Sequence, residues 1–300
     1  MHDIFSIENF LNFFSQDEVL KIGDKISLVE SIDSTNTFLM KESEKYLPLL
    51  SESGELTSTG KQFNFSLKAA ASQTNGRGRM GRTFVSPISS GIYFSIAYIK
   101  KNGITDPAMV TVSACIGICR AIEKTYGVEC EIKWVNDIYC NGKKVCGILT
   151  EGIINPEAGR IDGCIIGIGI NLRTNSIFDK ELKSKAGGIL DDLKNDSKVP
   201  CRAKFLAACY KEVKNILETN ENIINDYKSR SLLTGRTITV TPVIGDEKTS
   251  YTATVKGISD KAELVVQLSD GTENKLSSGE VSLHATVFAD KKNCKKGDDQ

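Results

Sequence analysis

Residues 73–99 read QTNGRGRMGRTFVSPISSGIYFSIAYI, and the stretch carries two opposed signals. Gly76, Gly78 and Gly81 satisfy the G-x-G-x-x-G spacing of a dinucleotide-binding turn, which works only where the third glycine opens a helix that meets the pyrophosphate. Here TFVSPISSG follows, with Pro87 and turn residues and no helical stripe. After it GIYFSIAYI alternates as a strand, with Tyr93, Ser95 and Ala97 on one face and Phe94, Ile96 and Tyr98 on the other. The doubly wound nucleotide fold therefore fails on context, and the chain has no Gly-Lys-Ser/Thr step to make a phosphate loop of the other kind. What remains is a pliable loop bearing Arg77, Arg79 and Arg82, able to offer N–H groups and guanidinium forks to a carboxylate or phosphate. A solvated turn with incidental arginines is the bland alternative, but interleaving Gly with Arg costs backbone entropy that a plain turn does not require. A nucleotide or an acyl phosphate is the natural guest.

Upstream, FSLKAAASQ (65–73) is an apolar strand leading into the loop. Residues 47–65, LPLLSESGELTSTGKQFNF, show no sustained period and read as a loop or mobile insertion. Before them come a short strand from Ile26 to Glu30 and a helix from about Thr35 that Ser34 or Thr35 can cap. Ile7, Phe10, Leu11 and Phe14 predict one amphipathic helix over 4–20.

Downstream, 106–126 is the clearest helix. Asp106 stands at the cap, Pro107 in the first turn, a stripe runs through Met109, Val112, Ile116, Cys119 and Ile122, and Gly127 follows the end. ECEIKWVNDIYCNGKKVCGILTEGI (129–153) reads as two strands joined by Asn141-Gly142, a strong hairpin signal. Period-2 alternation then puts Lys144 on one face with Cys146 and Ile148, so an ammonium either reaches water at the strand end or meets an anionic ligand. CIIGIGINL (164–172) is a buried strand, and 200–228 is helical. From Gly235 short β-rich runs alternate with turn clusters such as Ile244-Gly245-Asp246 and Ser269-Asp270-Gly271, which predicts a small antiparallel barrel. The expected domains are 1–232, a barrel over 233–286 and a disordered charged tail over 287–300.

Composition narrows the function. Lys+Arg and Asp+Glu balance at 38 each in 300 residues, so no global basic field exists to hold nucleic acid. The opening MHDIFSIENFLNFF puts Asp3 and Glu8 where a signal peptide needs a basic start, and no apolar run of about 18 residues appears, so a cytoplasmic, membrane-free protein is expected. Nine cysteines, none spaced C-x-x-C, favour buried reduced thiols over a metal site.

SIDSTN (31–36), GRGRMGR (76–82), KWVND (133–137), GKKVCGILTE (142–151), GIGINL (167–172) and GEVSL (279–283) occur in the order found in biotin–protein ligases, and the chain resembles that family in the form without an N-terminal DNA-binding domain. The resemblance implies an α+β fold: a mixed β-sheet with helices packed on it, like class II synthetases, followed by a small SH3-like antiparallel β-barrel. It implies an ATP-dependent enzyme that makes biotinyl-5′-AMP from biotin and MgATP and transfers biotin to a lysine of a biotin carboxyl carrier protein. Under it, Ser34, Thr35, Asn36, Gln73, Gly76, Arg77, Arg79, Lys144 and Gly147 would hold biotin. Arg79, Arg82, Phe84, Asn136, Lys144 and Asn171 would hold the nucleotide, and Lys144, Arg79 and Asp137 would be catalytic. Asp137 can orient Lys144, bind magnesium or take the amine's proton, and the residues leave all three open.

Three departures stand out. Val135 replaces the usual proline of KWPND, the stretch between Asn36 and Gln73 is longer than the family pattern, and only about 30 residues precede SIDSTN, too few for a winged helix-turn-helix, so no DNA binding is expected. A homodimer is among the assemblies the resemblance allows. The alternatives to ligation of biotin are a lipoate–protein ligase-like acyl transferase and a sensor that holds biotinyl-adenylate without transferring it.

Overall fold

The structure is a computed structural model that describes residues 5–88, 90–192, 201–241, 249–277 and 280–283. Seven strands form one mixed sheet: β1 (Ile26–Ile32), β2 (Leu67–Gln73), β3 (Gly91–Ile99), β4 (Glu131–Lys133), β5 (Asp137–Cys140), β6 (Lys143–Asn155) and β7 (Arg160–Asn171). Their order is β1-β2-β3-β7-β6-β5-β4, with β1 and β2 parallel and every other neighbour antiparallel.

All nine residues of β3 are buried, because both faces of this inner strand are covered. Ile92, Phe94, Ile96 and Tyr98 enter the large core, whereas Ala97 and Ile99 enter a smaller cluster on the opposite face. The large core lies beneath α5 (Pro107–Tyr126) and α7 (Arg202–Thr219). Asp106 Oδ1 caps α5 by accepting from the N–H groups of Ala108 and Met109, and Gly127 ends it at φ 68°, as the sequence predicts.

Tertiary contacts change several expectations. The single helix over 4–20 is two, α1 (Ile7–Leu11) and α2 (Gln16–Ile22), because Ser15 and Glu18 form a reciprocal capping box that starts α2 afresh. The helical region over 200–228 is broken at Asn220, which adopts φ 49° and ends α7 before α8 (Ile224–Ser229). The stretch at 47–65 is a packed element rather than a loose insertion. Thr57 caps α4 (Ser58–Phe63), Leu49, Leu50 and Phe63 are buried with Leu39 of α3 (Thr35–Ser43), and the Tyr46 and Phe63 rings stack at 4.8 Å. Its apolar residues lack a period because they are gathered against β3, not along one helix.

The second sheet is antiparallel: β8 (Thr237–Thr241), β9 (Tyr251–Ile258), β10 (Leu264–Gln267), β11 (Glu273–Leu276) and β12 (Glu280–Leu283), in the order β11-β10-β9-β8-β12. Ile238, Val240, Val255, Leu264 and Val281 join the same core as the seven-stranded sheet, and Trp134 Nε1 donates to Ala262 O at 2.8 Å across the junction. The Ser269-Asp270-Gly271 turn joins β10 to β11, while the turn at 244–246 and the tail at 287–300 lie outside the described residues.

Cys115, Cys119, Cys130, Cys140, Cys146, Cys164 and Cys209 are buried free thiols, and Cys201 is exposed. Burial pushes the thiols of Cys115, Cys146, Cys164 and Cys209 well above the ordinary value. Among the described residues no helix is long and apolar enough to cross a membrane. Phe63→Ala is expected to destabilise the protein by about 3–5 kcal/mol in chemical denaturation, the cost of emptying a packed aromatic site. A change within about 0.5 kcal/mol, as at an unpacked surface position, would contradict the packing of 47–65.

Candidate active site

The site is built where the sheet lacks side chains. Gly147 of β6 pairs with Gly169 of β7, and Gly167 lies two residues away between Leu149 and Ser95. A Cβ on Gly169 would stand 2.5 Å from Phe84 Cε1, and one on Gly167 would stand 2.2 Å from Asn36 Oδ1. The ring of Phe84 and the amide of Asn36 thus rest directly on the backbone and line a cavity of about 170 Å³. Tyr93 supports Phe84 edge-on at 6.3 Å, and burial holds its phenol up at about 12, so it stays a neutral donor to Pro87 O.

The glycine–arginine loop folds back over this floor as a short hairpin. Gly78 N–H donates to Arg82 O at 2.7 Å, Phe84 N–H donates to Gly76 O at 2.9 Å, and Met80 and Gly81 take left-handed φ of 56° and 71° at the tip. Arg77 ion-pairs with Glu151, and Arg79 Nη1 donates to Asn136 Oδ1 at 3.0 Å. The arginines are therefore held apart by partners on β6 and on the turn before β5.

Lys144 reaches the cavity by a different route from the one alternation predicts. Ile138 pairs with Cys146 but Tyr139 pairs with Lys144, which leaves Val145 as the extra residue of a β-bulge. The bulge breaks period two, so Lys144 leaves the face of Cys146, which is buried in the core, and brings Nζ to 3.4 Å from where a Gly147 Cβ would stand. There it ion-pairs with Asp137 Oδ1 at 2.7 Å. The Asn141–Gly142 turn before it has both residues at positive φ, 50° and 75°, as the hairpin signal requires. KWVND, however, is not continuous strand: β4 ends at Lys133, β5 begins at Asp137, and the Trp134–Val135 peptide between them is cis.

Ser34, Thr35, Asn36, Gln73, Arg77, Arg79, Arg82, Phe84, Asn136, Asp137, Lys144 and Gly147 all line the cavity. Two expected residues do not. Gly76 lies beneath the loop, where a Cβ would collide with Phe84 O at 2.3 Å. Asn171 ends β7 opposite Gly91 and is buried, and its carbonyl accepts from Ile189 N–H at 3.1 Å in the segment that follows α6 (Lys180–Lys185). Asn136 lines the cavity with its amide engaged, donating to Ile148 O at 2.8 Å while accepting from Arg79. Sequence reasoning passes over Lys133 and Trp134, although both lie in KWVND, and over Val281, which reaches in from the barrel. It also passes over Ser95, the one serine of strand β3, and Glu151.

Arg77, Arg79, Arg82, Lys133 and Lys144 line the cavity against one carboxylate, Asp137, a balance that draws an anion. Among the described residues no three His, Cys, Asp or Glu side chains gather to hold a metal ion.

The architecture is that of solved biotin protein ligases. The biotin protein ligase from Aquifex aeolicus, in complex with biotin and ATP, superposes with a TM-score of 0.65 at 23% identity over 86% of this chain and 98% of that one. Residues 28–171 match the biotin/lipoate A/B protein ligase family and residues 234–284 match the biotin protein ligase C terminal domain; the chain belongs to that family. The bifunctional ligase/repressor BirA of Bacillus spizizenii is 40% identical over 121 residues, 40% of this chain and 37% of the relative. The biotin--[acetyl-CoA-carboxylase] ligase of Paracoccus denitrificans is 31% identical over 105 residues, 34% of this chain and 42% of the relative. The match thus spans well under half the length of these relatives.

Gly169→Ala is expected to destabilise the protein by about 1–3 kcal/mol through overpacking against Phe84. Adding Phe84→Leu should recover most of that loss in a double-mutant cycle followed by denaturation. Strict additivity of the two changes would mean that the ring does not rest on this glycine.

Proposed function

We propose that the chain is an ATP-dependent biotin–protein ligase, which forms biotinyl-5′-AMP and passes the biotinyl group to a lysine of a biotin carboxyl carrier protein. The observation that carries this reading is the division of the cavity. Neutral donors and acceptors from Ser34, Thr35 and Gln73 stand with Asn36 over Gly167, and the Lys144–Asp137 pair stands by Gly147. A ligand with a neutral polar ring at one end and an anionic reacting group at the other suits such a site.

In the first step biotin's carboxylate oxygen attacks the α-phosphorus of ATP and pyrophosphate leaves. Lys144, held beside Asp137, would stabilise with its charge the oxygens around the reacting centre, with Arg79 and Arg82 toward the phosphates. In the second step the carrier's lysine amine attacks the acyl carbonyl, AMP leaves, and the amine's proton must be taken up. Asp137 is the carboxylate in reach; its ion pair with Lys144 supports an orienting role first. Magnesium, which neutralises the triphosphate when bound, would arrive on the nucleotide, since a lone cavity carboxylate suits an ion ligated mainly by phosphate and water. Phe84 would lie against the nucleotide and Asn136 would meet its base, whereas Asn171 would be reached only by a ligand extending past Gly169. The name of the Paracoccus relative supports the carrier of an acetyl-CoA carboxylase as acceptor, and the cytoplasm is the proposed place of work.

The family's name covers lipoate as well as biotin, but the match over 234–284 to the biotin ligase C-terminal domain favours biotin. Incubation with MgATP, a carrier domain and either biotin or lipoate, followed by mass measurement, is expected to give the biotinyl adduct. A lipoyl adduct alone overturns the substrate, and pyrophosphate release without transfer identifies a sensor. Lys144→Ala is expected to slow pyrophosphate release by roughly 10²-fold or more with an unchanged circular dichroism spectrum. An unchanged rate removes Lys144 from the chemistry.

A further inference from the structure

One carboxylate outside the cavity's lining is wired into it. Glu151 stands on β6 opposite Ile165, one step along the strand face from the pairing of Leu149 with Gly167, and is about a quarter exposed. Its Oε2 accepts from Asn36 Nδ2 at 2.8 Å, and its Oε1 is ion-paired with Arg77 Nη2. Arg77 Nη1 in turn donates to Thr37 Oγ1 at 3.2 Å. From Asn36 the contacts continue inward. Fully buried Ser95 has its Oγ 2.6 Å from Asn36 Oδ1 and 2.7 Å from Thr35 Oγ1. Thr35 donates through N–H and hydroxyl to Gln73 Oε1 at 2.9 and 3.1 Å, Gln73 Nε2 donates to Ser86 Oγ at 3.0 Å, and Ser86 donates to Phe84 O at 2.9 Å. The series starts at Arg77 on one limb of the glycine–arginine loop and ends at Phe84 on the other.

Its polarity is set at Glu151. A carboxylate only accepts, so it fixes the Asn36 amide with nitrogen outward, helped by Leu149 O at 3.2 Å, and turns Oδ1 toward Ser95. That oxygen also only accepts, which commits the Ser95 hydrogen to it. The Thr35 hydroxyl gives its own hydrogen to Gln73 Oε1. That hydrogen stays inside the network, and the face Thr35 shows the cavity is a lone pair. The cavity is thereby keyed to a ligand N–H at this point.

We infer that Glu151 is a positioning residue for recognition of a neutral ring bearing N–H donors, acting through Asn36 and Arg77. This rests on the reading of the ring as the ureido group of biotin. Its role is distinct from that of Lys144, because Glu151 does not line the cavity and reaches it only through Asn36 and Arg77.

Glu151→Gln keeps the shape and removes the acceptor-only end. It is expected to raise the biotin KM about tenfold in pyrophosphate release, with kcat within about threefold and the ATP KM unchanged. Glu151→Asp, which keeps the charge, should recover part of the loss. In the ligand-free protein, amide exchange over 76–84 should be several-fold faster in Glu151→Gln, a readout that needs no substrate. An unchanged biotin KM overturns the inference, as does an equal rise in both KM values with a lower melting temperature, the pattern of a merely structural residue. Should the wild-type protein bind no biotin, faster exchange in Glu151→Gln would leave the hold on the loop standing while the ring assignment fell, and equal exchange would overturn the inference as well.

Discussion

A cavity in the middle of a sheet face needs side chains to be missing there. Gly147, Gly167 and Gly169 supply that absence on adjoining strands, and two groups rest on the bared backbone: the Phe84 ring and the Asn36 amide. Glycine within a strand is unfavourable by roughly 0.5–1 kcal/mol relative to alanine, so three of them weaken the sheet where it opens. The loss is offset by the other face of the same strands. There Ile148, Ile166, Ile168 and Ile170 are buried in the main core. One face of β7 therefore holds the molecule together while the other, with the same alternation, makes room for a ligand.

The second constraint is a single unpaired residue. Val145 shifts the register of β6 against β5, and that shift carries Lys144 from the core side of its strand to the ligand side, next to Asp137. Held 2.7 Å from a carboxylate, the ammonium is oriented before any substrate arrives. Prior orientation of this kind is what makes a charge effective in a transition state, since little reorganisation is left to perform. Arg79 is steadied in a comparable way by Asn136, an amide that is itself tied to the backbone of β6.

Much of this was legible wherever the signal is local. The helix over Pro107–Tyr126 announces itself through Asp106, Pro107 and Gly127, and the strand GIYFSIAYI through alternation, with its two faces assigned as the structure has them. The failure of the dinucleotide reading was likewise visible in TFVSPISSG. What could not be read depends on partners distant in sequence. Leu49, Leu50 and Phe63 look aperiodic because their common neighbour is the odd face of β3. The bulge at Val145 exists only relative to β5, so alternation assigned Lys144 to the wrong side. The segment after β7 lies beside Asn171 and leaves it outside the cavity, which GIGINL does not disclose. At the site itself, the residues carried by contiguous motifs converge, whereas Ser95 and Glu151 act through hydrogen bonds that connect separate strands.

The contact between Trp134 and Ala262 has a further consequence for how the two sheets communicate. The indole belongs to the turn that carries Asn136 and Asp137, and its N–H ends on a barrel carbonyl within a shared apolar core to which Val281 also belongs. Removing the second sheet would strand a buried donor and bare apolar surface, because the two matched regions share one core. A ligand seated in the cavity would touch Val281 and Trp134 together, so the stability it lent would be shared by both sheets.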